Sequence, residues 1–188
     1  MRLAGIVRPR DLAHLGVSRT AIKRLVEGGF LRRLGRGLYS AADAELTEHH
    51  SLAEAATRVP RGVVCLLSAL RFHGLTTQNP FEVWMAIGHK SWRPRALDVP
   101  LRVVHMSGPQ LTAGVEVHEI EGVAVRVFGP AKTVVDCFRY RNRIGLDVAV
   151  EALRDFRRLH RGGMDDIWRF AVAGRVSKVL LPYIEALP

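Results

Sequence analysis

The stretch Leu15-Gly16-Val17-Ser18-Arg19-Thr20-Ala21-Ile22-Lys23-Arg24-Leu25-Val26-Glu27-Gly28-Gly29-Phe30-Leu31-Arg32-Arg33-Leu34-Gly35-Arg36-Gly37-Leu38-Tyr39 decides how the N-terminal part of the chain folds. Ser18 is a good helix N-cap, and from it a helix runs to Glu27 and stops at Gly28-Gly29. Ala21, Ile22, Leu25 and Val26 form one apolar stripe, which leaves Arg19, Thr20, Lys23, Arg24 and Glu27 on the solvent side. From Phe30 to Tyr39, apolar and basic residues alternate around Gly35-Arg36-Gly37, the pattern of a β-hairpin with an arginine at its tip.

Upstream, Pro9 opens a short helix over residues 10–15, and Gly16 supplies the turn into Ser18. Two short helices joined by a glycine turn, the second with a cationic face, have the geometry that lays a recognition helix in the DNA major groove. The hairpin that follows reads as the wing of a winged helix-turn-helix. The expected DNA-binding residues are Ser18, Arg19, Thr20, Lys23 and Arg24 on the helix, and Arg32, Arg33 and Arg36 on the wing, the latter suited to backbone or minor-groove contact. Only about five residues precede Ile6, fewer than two turns at about 3.6 residues each. The first helix of a full winged helix is therefore expected to be short or missing, with Leu12, Ile22 and Leu25 needing cover from the rest of the chain or a partner.

Charge supports this reading. The 188-residue chain carries a net charge of +10, and residues 1–40 hold nine basic against two acidic side chains. That segment is thus +7, and the remaining 148 residues, with 19 basic and 16 acidic groups, only +3. Such an imbalance points to a polyanion such as double-stranded DNA. With 48% hydrophobic and 24% charged residues the chain reads as folded rather than disordered. No apolar run approaches the roughly 20 residues of a membrane span, and the N-terminus lacks a secretory signal, so no membrane is expected and the cytoplasm is. Cys65 and Cys137 each lie in an apolar stretch and read as reduced core thiols.

A joint is expected where Ala41-Ala42-Asp43-Ala44-Glu45 replaces the arginines, dividing the chain into residues 1–40 and a larger α+β domain, residues 47–188. In the latter, Thr47 is read as the cap of a helix to about Arg58, and residues 63–72 as an apolar helix ending at His73-Gly74. Residues 81–87, 101–105 and 115–128 read as strands, the last broken into a hairpin at Glu121-Gly122. Three helical patterns close the chain: 130–141, 146–161, and 164–187 with an interruption near Gly174 or Pro182. In the middle one Ala149, Val150, Leu153 and Phe156 form the apolar stripe, and Arg157, Arg158 and Arg161 sit at the negative end of the helix dipole.

Catalytic signatures are sparse. His49-His50 with Glu54 lacks a third ligand and reads as a surface pair, and His118-Glu119 falls in a strand pattern. Lys132 and Asp136 share a helix face and read as an ion pair, since a metal-dependent nuclease would need further carboxylates. There is no phosphate-binding loop, nucleophile elbow or dinucleotide fingerprint, so no enzyme, cofactor or metal is expected. Trp84 and Trp92 read as packing residues, and the segment 88–100 with Lys90, Arg93 and Arg95 as a second basic patch.

The segments Gly5 to Leu12, Leu15 to Arg19, Arg24 to Gly29 and Gly35 to Tyr39 resemble the winged-helix domain of AbiEi-type antitoxins from type IV toxin-antitoxin systems. The segments Leu66 to Gln78, Glu82 to Trp84 and Val125 to Phe138 resemble that family's C-terminal domain. The resemblance implies a transcriptional repressor that binds inverted repeats in its own operon promoter, as a possible homodimer on DNA. It also implies an antitoxin that counteracts a nucleotidyltransferase-like toxin without a stable complex. Two other readings of the same residues are a winged helix delivering a nuclease-like domain, and a degenerate winged helix serving as a protein-interaction module.

Overall fold

A computed structural model describes residues 5–35, 37–44, 46–91 and 99–187. The chain is α+β, with two sheets and ten helices among the described residues. The N-terminal unit contains β1 (Ile6–Val7), α1 (Pro9–His14), α2 (Arg19–Glu27), β2 (Leu31–Gly35) and β3 (Leu38–Ala41). Both helices and the hairpin fall where periodicity and capping put them. Strand β1 was not legible: two residues are too few for a period, and they are strand only because Ile6 and Val7 pair with Ser40 and Tyr39 of β3. The sheet order is β1-β3-β2.

This small sheet has two occupied faces, as strand alternation requires. Val7, Leu31 and Tyr39 face α1 and α2, where Leu12 and Ile22 are buried together with Val17, Leu25 and Val26. Leu12 is 1% exposed and Ile22 4%. Among the described residues, the cover expected from the rest of the chain or a partner is supplied inside the N-terminal unit, by its strands. On the other face, Ile6 and Leu38 join the core made by Leu52, Ala56, Ile120 and Val125 of the remaining chain.

That remaining chain is built on a five-stranded mixed sheet, with β4 (Val63–Val64), β5 (Val83–Gly88), β6 (Leu101–Met106), β7 (Val115–Ile120) and β8 (Val123–Phe128) in the order β6-β5-β4-β8-β7. Alternation along β5 divides its layers. Trp84 and Ala86 face one core with α4 (Leu66–Phe72), α6 (Pro130–Arg139), α8 (Leu146–Leu159), α9 (Met164–Ala173) and α10 (Ser177–Glu185). Val83, Met85 and Ile87 face the other core, with α3 (His50–Arg58) and the N-terminal unit. Two single turns, α5 (Pro109–Thr112) and α7 (Arg141–Ile144), complete the chain.

Several sequence expectations need correction. The apolar segment 63–72 is not one helix, because Val63 and Val64 pair with Ala86 and Met85 and Val64 also with Val127, so the helix begins only at Leu66. Thr47 does not cap α3: its amide and hydroxyl both donate to the Glu121 carboxylate, and the hydroxyl accepts from the His49 amide. His50 and Glu54 are not a surface pair, since His50 hydrogen-bonds Glu121 at 2.7 Å and Glu54 is buried. The last helical pattern is interrupted at Gly174, and Pro182 lies within α10. Arg36, Trp92, Arg93 and Arg95 lie outside the described residues, as does most of the proposed basic loop 88–100.

Candidate nucleic-acid interface

Helix α2 begins where Ser18 stops the turn. The Ser18 backbone is extended and its hydroxyl accepts from the Ala21 amide at 3.1 Å, which satisfies one of the helix's free N-terminal donors. The hydroxyl is therefore committed to capping. Gly16, at φ +80°, supplies the left-handed residue that the preceding turn needs. Ile22 anchors the buried side, and Arg19, Thr20, Lys23 and Arg24 are all exposed on the other. Lys23 lies 3.6 Å from Glu27 one turn on, an exposed pair that holds the lysine only weakly. Arg19 and Arg24 have no acidic partner among the described residues.

The hairpin arginines separate. Register pairs Arg32 with Ser40 and Arg33 with Tyr39, so the two side chains leave opposite faces of the hairpin. Arg33 shares its face with the helices and donates from Nε to the Gly35 carbonyl at 3.3 Å, leaning toward the hairpin tip. Arg32 leaves on the face toward the five-stranded sheet. Both are exposed. Phe30, 70% exposed, sits just before the hairpin.

How this unit is held was not foreseen. Glu121, in the β7–β8 turn at φ +50°, accepts the Ile6 amide on its backbone carbonyl at 3.2 Å. Its carboxylate, 6% exposed as a side chain, accepts from the Thr47 amide at 2.8 Å, the Thr47 hydroxyl at 3.0 Å and His50 Nδ1 at 2.7 Å. One residue thus clasps the strand that opens the N-terminal unit and the segment that leaves it. Burial by itself would push the Glu121 carboxyl up, but the hydrogen bonds from His50 and Thr47 outweigh it and hold the group below its ordinary value. An acid depressed on folding adds stability above its unfolded pKa and loses it as pH falls through the folded one. In urea titrations, the gap in stability between the native protein and Glu121→Gln should therefore be widest near neutrality and narrow below about pH 4, near the ordinary glutamate pKa. A gap independent of pH would remove the carboxylate from this role.

In two pockets elsewhere charged groups pair with one another. A pocket of about 190 Å³ lined by Glu48, Arg71, Phe72 and Glu82 holds Arg71 3.3 Å from Glu48, and Glu82 is bound by Arg102 at 2.8 Å. A second, of about 280 Å³, contains Glu116, bound by His118 at 3.1 Å, and Asp166, bound by Arg169 at 2.8 Å. Among the described residues no group of three or more His, Cys, Asp or Glu side chains gathers to hold a metal ion. Nor is any described helix long and apolar enough to cross a membrane. Cys65 and Cys137 are free and fully buried, and burial pushes both thiols well above their ordinary value.

Comparison with known proteins places first the fold and then the N-terminal unit. The chain is similar to the crystal structure of the RV2827C protein from Mycobacterium tuberculosis, with a TM-score of 0.56, 18% identity and 80% of this chain covered. It spans 61% of that longer chain. A family model described as "Transcriptional regulator, AbiEi antitoxin" matches residues 1–42, the segment that contains α1, α2 and the hairpin. The N-terminal segment is therefore similar to that of AbiEi-type transcriptional regulators. No curated protein matches the chain.

Proposed function

We propose that this chain is a DNA-binding transcriptional repressor whose N-terminal unit acts as a winged helix-turn-helix, with α2 in the major groove and the β2–β3 hairpin as the wing. The observation that carries this reading is the exposed cationic face of α2, Arg19, Lys23 and Arg24, within the segment that matches an AbiEi regulator. Arginine and lysine there read guanine edges or grip phosphates. Family resemblance extends the reading to autoregulation through inverted repeats in the operon promoter and to antitoxin action against a nucleotidyltransferase-like toxin, without a lasting complex, in the cytoplasm. Anisotropy titration of the upstream inverted repeats against scrambled duplexes tests it. Equal affinity for both would overturn the repressor reading.

Arg32, Arg33 and Arg36 position the wing on the DNA backbone. Because Arg33 leaves the hairpin on the side of α2 and Arg32 on the other, the two are not equivalent. Arg33→Ala should weaken binding to every sequence alike and reduce the salt slope by about 0.9, the value of one phosphate contact. Arg32→Ala should do less. Slopes unchanged by Arg33→Ala would detach the wing from the backbone.

Repression belongs to the basic residues 1–40 and antitoxin action to residues 47–188. The core shared by Ile6, Leu38, Ile120 and Val125 sets a condition on testing this, since a cut between the units exposes apolar surface on both. A fragment of residues 41–188, once shown to be soluble and folded, should rescue growth when co-expressed with the neighbouring toxin. If only the full chain rescues, the N-terminal unit is needed for both activities.

A further inference from the structure

The near neutrality of residues 41–188 is a sum that conceals a local concentration of charge. Residues 154–161 contain four arginines and one aspartate, a net +3, which equals the excess of that whole part of the chain. Arg154, Arg157 and Arg158 follow i, i+3, i+4 spacing, so α8 carries them on one face, and Arg161 follows in the turn just beyond the helix end. The buried stripe of α8, Val148, Ala149, Ala152, Leu153 and Phe156, is centred well over 90° around the helix from Arg154, Arg157 and Arg158 at about 100° per residue. The arginine row therefore looks directly into solvent, and all four are exposed.

The acidic groups of α8 do not neutralise it. Glu151 is bound to the amide and hydroxyl of Thr77, at 2.9 and 3.1 Å. Asp155 pairs with Arg158 at 3.1 Å. Arg154 and Arg157 on the last turns of α8, and Arg161 just beyond its end, have no salt bridge among the described residues. A helix end rich in arginine is favoured by its dipole, but that needs one or two cations in the last turn and not a row reaching back two turns.

Position gives the row its meaning. Helix α8 packs on α6, in the core on one side of the five-stranded sheet, and the N-terminal unit packs with α3 on the other. The two cationic surfaces thus belong to elements packed on opposite sides of the sheet. We propose that the arginine row of α8 is a second DNA-backbone surface, which lets one chain hold two duplex segments on opposite sides of its sheet. The proposal rests on the DNA-binding reading of α2 for the first segment only. Arginines at successive turns meet phosphates without reading bases, so this second site is independent of sequence. With three or four contacts its affinity should fall roughly 40- to 150-fold between 50 and 200 mM salt.

The test is energy transfer between an operator duplex and an unrelated duplex, each carrying one dye, on addition of the full chain at low salt. The native protein should bring the two together. Arg154→Glu, Arg157→Glu and Arg161→Glu combined should abolish the transfer while leaving operator affinity unchanged, and the corresponding lysine variant should retain most of it because the charge remains. Transfer that survives the reversal, as it would if two copies each held one duplex through α2, overturns the proposal. So does absence of transfer by native protein that binds the operator, or capture of duplex RNA in place of the second DNA. If instead the reversal abolishes binding to a single duplex and alanines at Arg19, Lys23 and Arg24 do not, the α2 reading fails and the second surface stands.

Discussion

Replacing Asp136 by alanine will destabilise the native state by about 3–5 kcal/mol, the cost of leaving one partner of a buried ion pair alone. Asp136 accepts from Lys132 one turn earlier on α6, and both residues are only 5% exposed. Sequence spacing foretold the pair but not its depth. Burial pushes the Asp136 carboxyl up, and the Lys132 ammonium pulls it back. That ammonium also lies 4.6 Å from the centre of the Phe128 ring, so its surroundings beyond Asp136 are partly apolar. Removing the carboxylate leaves a buried cation without the partner it holds in the native state. For a chain of this size the melting temperature should fall by roughly 2–4 °C for each kcal/mol lost. The combined Lys132→Met and Asp136→Leu variant should lie close to the native stability, because it removes both charges and keeps the outline of each side chain's heavy atoms, unbranched at Lys132 and branched at Asp136. Thermal melts of the three proteins decide it: a double variant as unstable as Asp136→Ala would mean that packing, and not the stranded charge, sets the cost.

The contrast between what the sequence disclosed and what it withheld follows contact range. Helices α2 and α8 were legible because their stripes and stops lie within one segment, and the hairpins because alternation around Gly35-Arg36-Gly37 and Glu121-Gly122 is equally local. Strand β1 and the two residues of β4 exist only through partners elsewhere in the chain, Ser40 and Tyr39 for one, Ala86, Met85 and Val127 for the other. The Glu121 clasp joins side chains 71 and 74 positions apart, which no spacing rule reports. His50 illustrates the error this invites, since beside His49 it reads as surface, and only the turn at Glu121 gives it a partner. For the candidate interface, the exposure of Arg19, Lys23 and Arg24 followed from the stripe opposite them. The opposed directions of Arg32 and Arg33 were also implicit in strand alternation, but grouping them by charge alone hid it.

Alanine at Arg19, Lys23 and Arg24 together should abolish discrimination between the operator repeats and scrambled DNA, and it carries the largest effect expected on function. Each residue that pairs with a base edge contributes about 1–3 kcal/mol of discrimination, and each that grips a phosphate contributes a salt-dependent share of affinity at any sequence. The three must differ in role. Lys23 is already 3.6 Å from Glu27, so its charge is partly answered within the helix, and it suits a phosphate more than a base. Arg19 stands at the first position of α2, where residues of a recognition helix reach bases most readily, and Arg24 lies more than a turn further on, with no acidic partner among the described residues. Arg19→Ala alone should therefore relax specificity at one position, whereas Lys23→Ala should lower affinity for operator and scrambled duplexes equally and reduce the salt slope by about 0.9. Neither change touches Ile22 or the Ser18 cap, so loss of binding cannot be laid to loss of the helix. Anisotropy titrations at several salt concentrations separate the two effects, and a triple variant that binds the repeats with native affinity and selectivity would remove α2 as the recognition helix.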